Sequence, residues 1–221
     1  MAKVFQGAYG TFKNRFMNAV QYKWRGIIVA REHNDSPNNP KTADQTKARE
    51  KFAVLTKLGG YLMEVLNMTM AFFIVAKKTT ANGQFVKQNY ENGLDSGNHI
   101  DYEHITITPE NSKLTPVGMG ELDCTAPGKI ACAIESANVN AQINSENDKV
   151  YLVAINTDNF EVLMSDGTAK RTTVADIVIN APNHWTGSQV QVWAFVKAAD
   201  NTPHDKKAFS QTIYVGHAAC A

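Results

Sequence analysis

Residues 149–166 read KVYLVAINTDNFEVLMSD. Two apolar, β-branched runs, KVYLVAINT (149–157) and FEVLMSD (160–166), meet at Thr157-Asp158-Asn159. Branched and aromatic side chains favour the pleated strand. Thr, Asp and Asn favour a reversal, because their short polar side chains can bond to nearby backbone. The segment therefore reads as two strands and a tight connection. The same texture recurs in both directions. HIDYEHITIT (99–108), GMGELDCTA (118–126) and KIACAIES (129–136) precede it. TTVADIVIN (172–180), QVQVWAFVKA (189–198) and FSQTIYVGH (209–217) follow it. Pro127-Gly128, Asp166-Gly167 and the loop ADNTPHDKK (199–207) punctuate the runs. Short strands at this spacing predict a single β-sandwich of immunoglobulin or fibronectin type over residues 98–221. No Cys…Trp…Cys framework supports an antibody-type domain, and no repeat of 20 to 50 residues supports a solenoid.

Upstream the pattern changes. Val20, Tyr22 and Trp24 alternate with Gln21, Lys23 and Arg25, the period of a half-buried strand. Arg25-Gly26 then gives a turn, and IIVA (27–30) a second strand, so the pair predicts a β-hairpin. EHNDSPNNPK (32–41) is a loop by composition. Thr42 with Gln45 forms a capping box, since the hydroxyl can accept from an orphan amide and Gln45 can reach back. Beyond it Phe52, Leu55, Leu58, Leu62, Val65 and Leu66 recur at helical spacing, predicting a helix from about 43 to about 68. Gly59-Gly60 interrupts it, because glycine costs roughly 1 kcal/mol in a helix interior; a bend or a close packing partner is expected there. MAFFIVAKK (70–78) fits either more helix or a strand. Thr80 can cap a shorter helix with Phe85, Val86, Asn89 and Tyr90 on one face. The fold class expected is α+β, mostly β: an N-terminal arm, hairpin and helical module over 1–97, then the sandwich over 98–221.

The chain of 221 residues has 22 Lys+Arg and 21 Asp+Glu, a formal charge of +1 that hides an asymmetry. Residues 1–60 hold 11 basic against 4 acidic side chains, and the remainder holds 11 against 17. Such a chain offers two surfaces of opposite sign. MAKVFQGAYG has no apolar signal region, and MTMAFFIVA (68–76) is far shorter than the roughly 18 apolar residues of a membrane span. No membrane partner is expected. Cys124, Cys132 and Cys220 form no CxxC pair and read as structural thiols of a reducing compartment; a Cys124–Cys132 bridge is the lesser alternative.

No GxGxxG, Walker loop, HExxH or GxSxG occurs, so no enzymatic activity and no cofactor is expected. In NHIDYEH (98–104), a strand would place His99, Asp101 and Glu103 on one face, where they could approach a cation. The plainer reading is the polar side of a strand, and no metal is expected. Glu161, Asp166 and Asp176 near turns read as solvated acids. The feature that calls for a partner is the arm. Lys13, Arg15, Lys23, Arg25 and Arg31 interleave with Phe12, Phe16, Tyr22 and Trp24. Arginine and aromatics are what protein interface cores favour, and a hairpin can add to a neighbour's sheet. The same residues could neutralise phosphates and stack on bases. Protein docking is preferred, with Trp24, Ile27 and Val29 as apolar anchors and Tyr22 beside them.

GAYGTFKNRFMNAVQYKWRGIIVAR (7–31) and PKTADQTKAREKF (40–52) resemble the opening of a family of uncharacterised proteins from Bacteroidales and their phages. That opening has spaced glycines, a W-K-G turn, an apolar strand ending in Arg, and a T-x-x-Q helix start. Here these are Gly7 and Gly10, Trp24-Arg25-Gly26, Arg31, and Thr42 with Gln45. HIDYEHITIT, APNHWTGSQVQVWAFV (181–196) and FSQTIYVG (209–216) extend the likeness through the C-terminal half. KNRF (13–16) lacks the further glycine of the pattern, and HAACA (217–221) runs past its usual end.

The resemblance implies a sandwich behind a hairpin-and-helix module, in genomes where phage genes are common. The expectation is a non-enzymatic virion structural protein, a ring, neck, tail or decoration subunit assembled in the host cytoplasm. Its expected partners are itself, as a homo-oligomer or ring, and other structural proteins. Two alternatives stand beside it: a nucleic-acid-associated protein using the basic N-terminal arm, and a bacterial ligand- or carbohydrate-binding module using loops around His184 and Trp185; the alternative location is the bacterial cytoplasm.

Overall fold

The computed structural model describes residues 2–3, 14–16, 19–24, 27–32, 41–71, 74, 79–110, 114–139, 145–173, 175–199 and 209–221. The chain divides into two compact units, Met1–Thr46 and Lys47–Ala221. Residues 47–97 therefore cluster with the sheets that follow them, a division that differs from the 97/98 boundary expected from sequence. The reason lies in the packing of the second unit.

The first unit holds one antiparallel sheet. Strands β1 (Ala2–Lys3), β2 (Asn14–Phe16), β3 (Ala19–Trp24) and β4 (Ile27–Glu32) lie in the order β1-β4-β3-β2. The hairpin register sets Trp24 opposite Ile27, so two residues connect β3 to β4, as the sequence required. Thr42 Oγ1 accepts from the Gln45 amide at 3.3 Å, the capping interaction read from sequence.

Helix α1 (Ala43–Tyr61) starts in the last residues of the first unit and runs into the second, where α2 (Met63–Thr69) follows. The break is slight: Leu62 N bonds Leu58 O at 3.1 Å, and Leu66 N bonds Leu62 O at 2.9 Å. The helix passes through Gly59-Gly60 because Gly59 packs on the next helix, α3 (Ala81–Asn89). A Cβ on Gly59 would lie 2.8 Å from Phe85 and collide with Asn82. Asn82 Nδ2 also donates to Thr56 O at 3.0 Å. Most of MAFFIVAKK lies outside the described residues. Thr80 caps α3, its hydroxyl accepting from Gly83 N at 2.9 Å, and Phe85, Val86 and Asn89 are buried. Thr80→Ala should cost about 1 kcal/mol, read as a lower urea midpoint at constant slope; an unchanged midpoint would remove the cap from the account.

Two antiparallel sheets follow. One is β5-β6-β9, built from Gly118–Asp123, Lys129–Ser136 and Ile177–Asn180. The other is β11-β10-β7-β8, built from Ile213–Ala219, Gln189–Lys197, Lys149–Asn156 and Val162–Met164. Three strands against four is the sandwich expected from the strand spacing. Alternate side chains point to opposite faces of a strand, and both faces of the four-stranded sheet are covered. Val150, Leu152 and Ala154 join Val192, Ala194, Ile130 and Ile179 in the inter-sheet core. Tyr151, Val153 and Ile155 join Trp193, Phe195, Leu55, Leu58, Leu66 and Phe85 in a second core beneath the helices. The helices thus supply a third layer, which is why residues 47–97 belong to this unit.

HIDYEHITIT departs from expectation: it is not a strand. Tyr102–His104 is a 3-10 turn. The backbone of 106–108 bonds to side chains instead of a sheet ladder. Asn89 accepts from Thr106 N at 2.7 Å and donates to Thr106 O at 2.9 Å. Thr212 Oγ1 accepts from Ile107 N at 2.9 Å and Thr108 N at 3.1 Å. Thr69 Oγ1 donates to Ile107 O at 2.7 Å, and Gln88 Nε2 to Thr108 O at 2.9 Å. Every backbone polar group of three buried or half-buried residues is satisfied without strand pairing.

Candidate interaction surface

The sequence placed the interaction residues on the arm, and the register shows which of them meet. Tyr22 stands opposite Val29, Arg15 opposite Val20, and Val20 opposite Arg31. Lys23 stands opposite Ile28, one position out of phase with that set. Lys13, Arg25 and Gly26 lie outside the described residues. Arg31 is exposed, and Tyr22 is 39% exposed. Val29, expected as an anchor, is only 7% exposed. Its side chain is already covered within the chain, so Val29 is not a free anchor.

The other candidates resolve as structure. His99, Asp101 and Glu103 do not share a strand face, because no strand forms there. His99 Nδ1 meets Asp95 Oδ2 at 3.2 Å, and His104 Nδ1 meets Asp101 Oδ2 at 2.9 Å. Asp95 accepts from the amides of Gly97 and His99 at 2.8 Å each, and the His99 amide is the main reason its carboxyl sits below its ordinary value. Among the described residues no three His, Cys, Asp or Glu side chains are grouped to hold a metal ion. No helix of the described residues is long and apolar enough to cross a membrane.

Trp185 is fully buried in the inter-sheet core. Its indole N–H donates to Glu161 Oε2 at 2.6 Å, Asn159 Nδ2 donates to the same oxygen at 3.0 Å, and His184 meets it too. The Trp185 bond, then that of His184, hold the Glu161 carboxyl below its ordinary value. Trp185 therefore offers no ring face to a ligand.

The three cysteines are free and buried. Burial pushes the Cys124 thiol up to about 11, and nearby Cys220 and Asp123 add to the shift. Burial likewise pushes Cys132 up to about 11, with Asp176 and Glu135 adding. Cys220, not Cys132, is the thiol beside Cys124. Only thiolates react readily, so a disulfide-exchange reagent at about pH 8 should label none of the three in the folded protein and all three in denaturant. Rapid labelling of the folded protein would show these burials to be wrong.

Sequence reasoning missed Arg171. Nothing in TAKRTT (168–173) separates it from a surface arginine, yet its side chain is buried and its Nε donates to buried Asp148 at 2.9 Å. Nη1 donates to Ala137 O at 3.1 Å and Nη2 to Thr115 O at 2.6 Å. The three segments the guanidinium joins come from distant parts of the chain, so no local signal could reveal the site.

No curated protein and no solved structure matches this chain. A family model described as a family of unknown function (DUF6266) matches residues 11–216. That span takes in the hairpin, the helices and nearly all of both sandwich sheets, and the chain belongs to this family.

Proposed function

We propose that the protein is a non-enzymatic assembly protein, a structural component of a phage or phage-derived particle, that docks on protein through its N-terminal arm. One observation carries the proposal: the hairpin β3–β4 belongs to a compact unit, Met1–Thr46, that is distinct from the unit holding the sandwich. Residues 1–46 hold seven Lys+Arg against three Asp+Glu, with aromatics in the same strands. Interface energy concentrates in a few buried aromatic anchors, while rim charges set orientation and rate. Trp24→Ala should therefore weaken association by about 2 kcal/mol or more, roughly 30-fold. Lys23→Gln with Arg31→Gln should change it only slightly. Sedimentation with melting curves as a folding control reads both. Nucleic-acid binding predicts the reverse: affinity for duplex DNA that falls steeply between about 50 and 200 mM salt, with the Gln pair flattening the slope. That outcome would replace protein docking.

A further inference from the structure

Two cysteines from opposite sheets of the sandwich meet at one end of it. Cys124 directly follows β5 (Gly118–Asp123) in one sheet, and Cys220 directly follows β11 (Ile213–Ala219) in the other. Each is 5% exposed, and both belong to the inter-sheet core. The backbone fixes them side by side. Ala221 N donates to Cys124 O at 3.1 Å. Cys220 N donates to Ser188 O at 3.0 Å, and Cys220 O accepts from Gly187 N at 2.8 Å, so Cys220 is also clamped to the turn before β10. A disulfide joins residues whose Cα atoms lie about 4.4–6.8 Å apart. That range is met when the residue next to one cysteine is bonded through its amide to the other, as Ala221 is to Cys124. The two sulfurs lie within hydrogen-bonding reach of each other. Cys132 is placed otherwise: it stands opposite Leu122, and its Sγ donates to Gly120 O at 3.2 Å.

We propose that Cys124 and Cys220 are a disulfide site: folding in the presence of a small-molecule disulfide closes them into a bond between the two sheets, and folding in reducing surroundings leaves them as thiols. The exchange has two steps. In the unfolded chain one cysteine thiolate attacks the small disulfide; a mixed disulfide forms, and one small thiolate leaves and takes up a proton. Folding then sets the second cysteine against the first. It gives its proton to solvent and attacks the protein-side sulfur, and the second small thiol leaves. Two protein thiols are oxidised to one disulfide, and one small disulfide is reduced to two thiols. Both sulfurs are covered in the folded chain, so the exchange occurs before burial is complete. The closed loop spans about a hundred residues, which restricts the unfolded chain strongly. The site lies in the second unit alone and is independent of the arm.

Refolding the full chain from denaturant in a buffer of reduced and oxidised glutathione, beside the same chain refolded with reduced glutathione alone, tests this. The reduced control should show all three cysteines as free thiols when denatured again, and the chain from the redox buffer only Cys132. Peptide mapping without reductant should find Cys124 joined to Cys220. The bridged chain should melt about 5 °C or more above the control. Cys220→Ala should abolish the bond and the difference in melting temperature between the two buffers. Mapping of the wild-type chain decides the matter even if that variant does not fold. Three free thiols after the redox buffer, a glutathione adduct in place of the bridge, or a bond to Cys132 would overturn the site. So would a mapped Cys124–Cys220 bond that lowers the melting temperature, since the folded backbone would then be strained by it.

Discussion

Arg171→Ala is expected to lower the free energy of unfolding by about 3–5 kcal/mol. The guanidinium is fully buried, and it serves Asp148, the Thr115 carbonyl and the Ala137 carbonyl together. Among the described residues, removing it leaves Asp148 as a buried charge with the amide donors Ser145 N at 3.0 Å and Ala199 N at 3.2 Å. It also strips the side-chain donor from two carbonyls. A buried charge that loses its partner is costly, whereas replacing both partners by apolar groups of similar volume is often neutral. Asp148→Leu with Arg171→Met should therefore recover much of the loss. Chemical denaturation of the two chains reads the difference. A loss below about 1 kcal/mol for Arg171→Ala would mean the site is wetter than its burial implies.

Trp193→Ala is expected to cost about 3–5 kcal/mol. The ring is fully buried under the helices, tilted against Tyr102 with centroids 6.0 Å apart. Its indole N–H donates to Tyr102 O at 2.9 Å, so the substitution also leaves the 3-10 turn without that anchor. The loss tests whether the helical layer and the sheet form one cooperative core. Unfolding should remain a single transition, with helix and sheet signals lost together at a lower midpoint. A separate early helical transition, with the sandwich midpoint unmoved, would contradict the three-layered unit.

Most strands and helices were legible because their signals are local. KIACAIES, KVYLVAINT and QVQVWAFVKA became β6, β7 and β10 within a residue or two. Thr80 was legible as a cap because capping needs only a hydroxyl and an amide three residues on. The third layer was not read from the sequence, although its trace is there. VYLVAI and VWAFV are continuous apolar runs, the mark of strands covered on both faces, and alternation would have marked one solvated face. HITIT has the composition of a strand, but Asn89, Gln88, Thr69 and Thr212 supply its hydrogen bonds from far away. The Arg171 site and the place of Trp185 in the core depend on such distant contacts too. Of the arm, the hairpin and its register were readable, whereas the burial of Val29 was not, since period-2 alternation assigns a face without saying what covers it.

Association with protein through the arm is tested by the mass in solution of the full chain and of a chain beginning at Pro40, each across a range of concentration and salt. The full chain should grow in mass with concentration, and the shortened chain should stay monomeric and folded. Equal monomeric masses for both would contradict it.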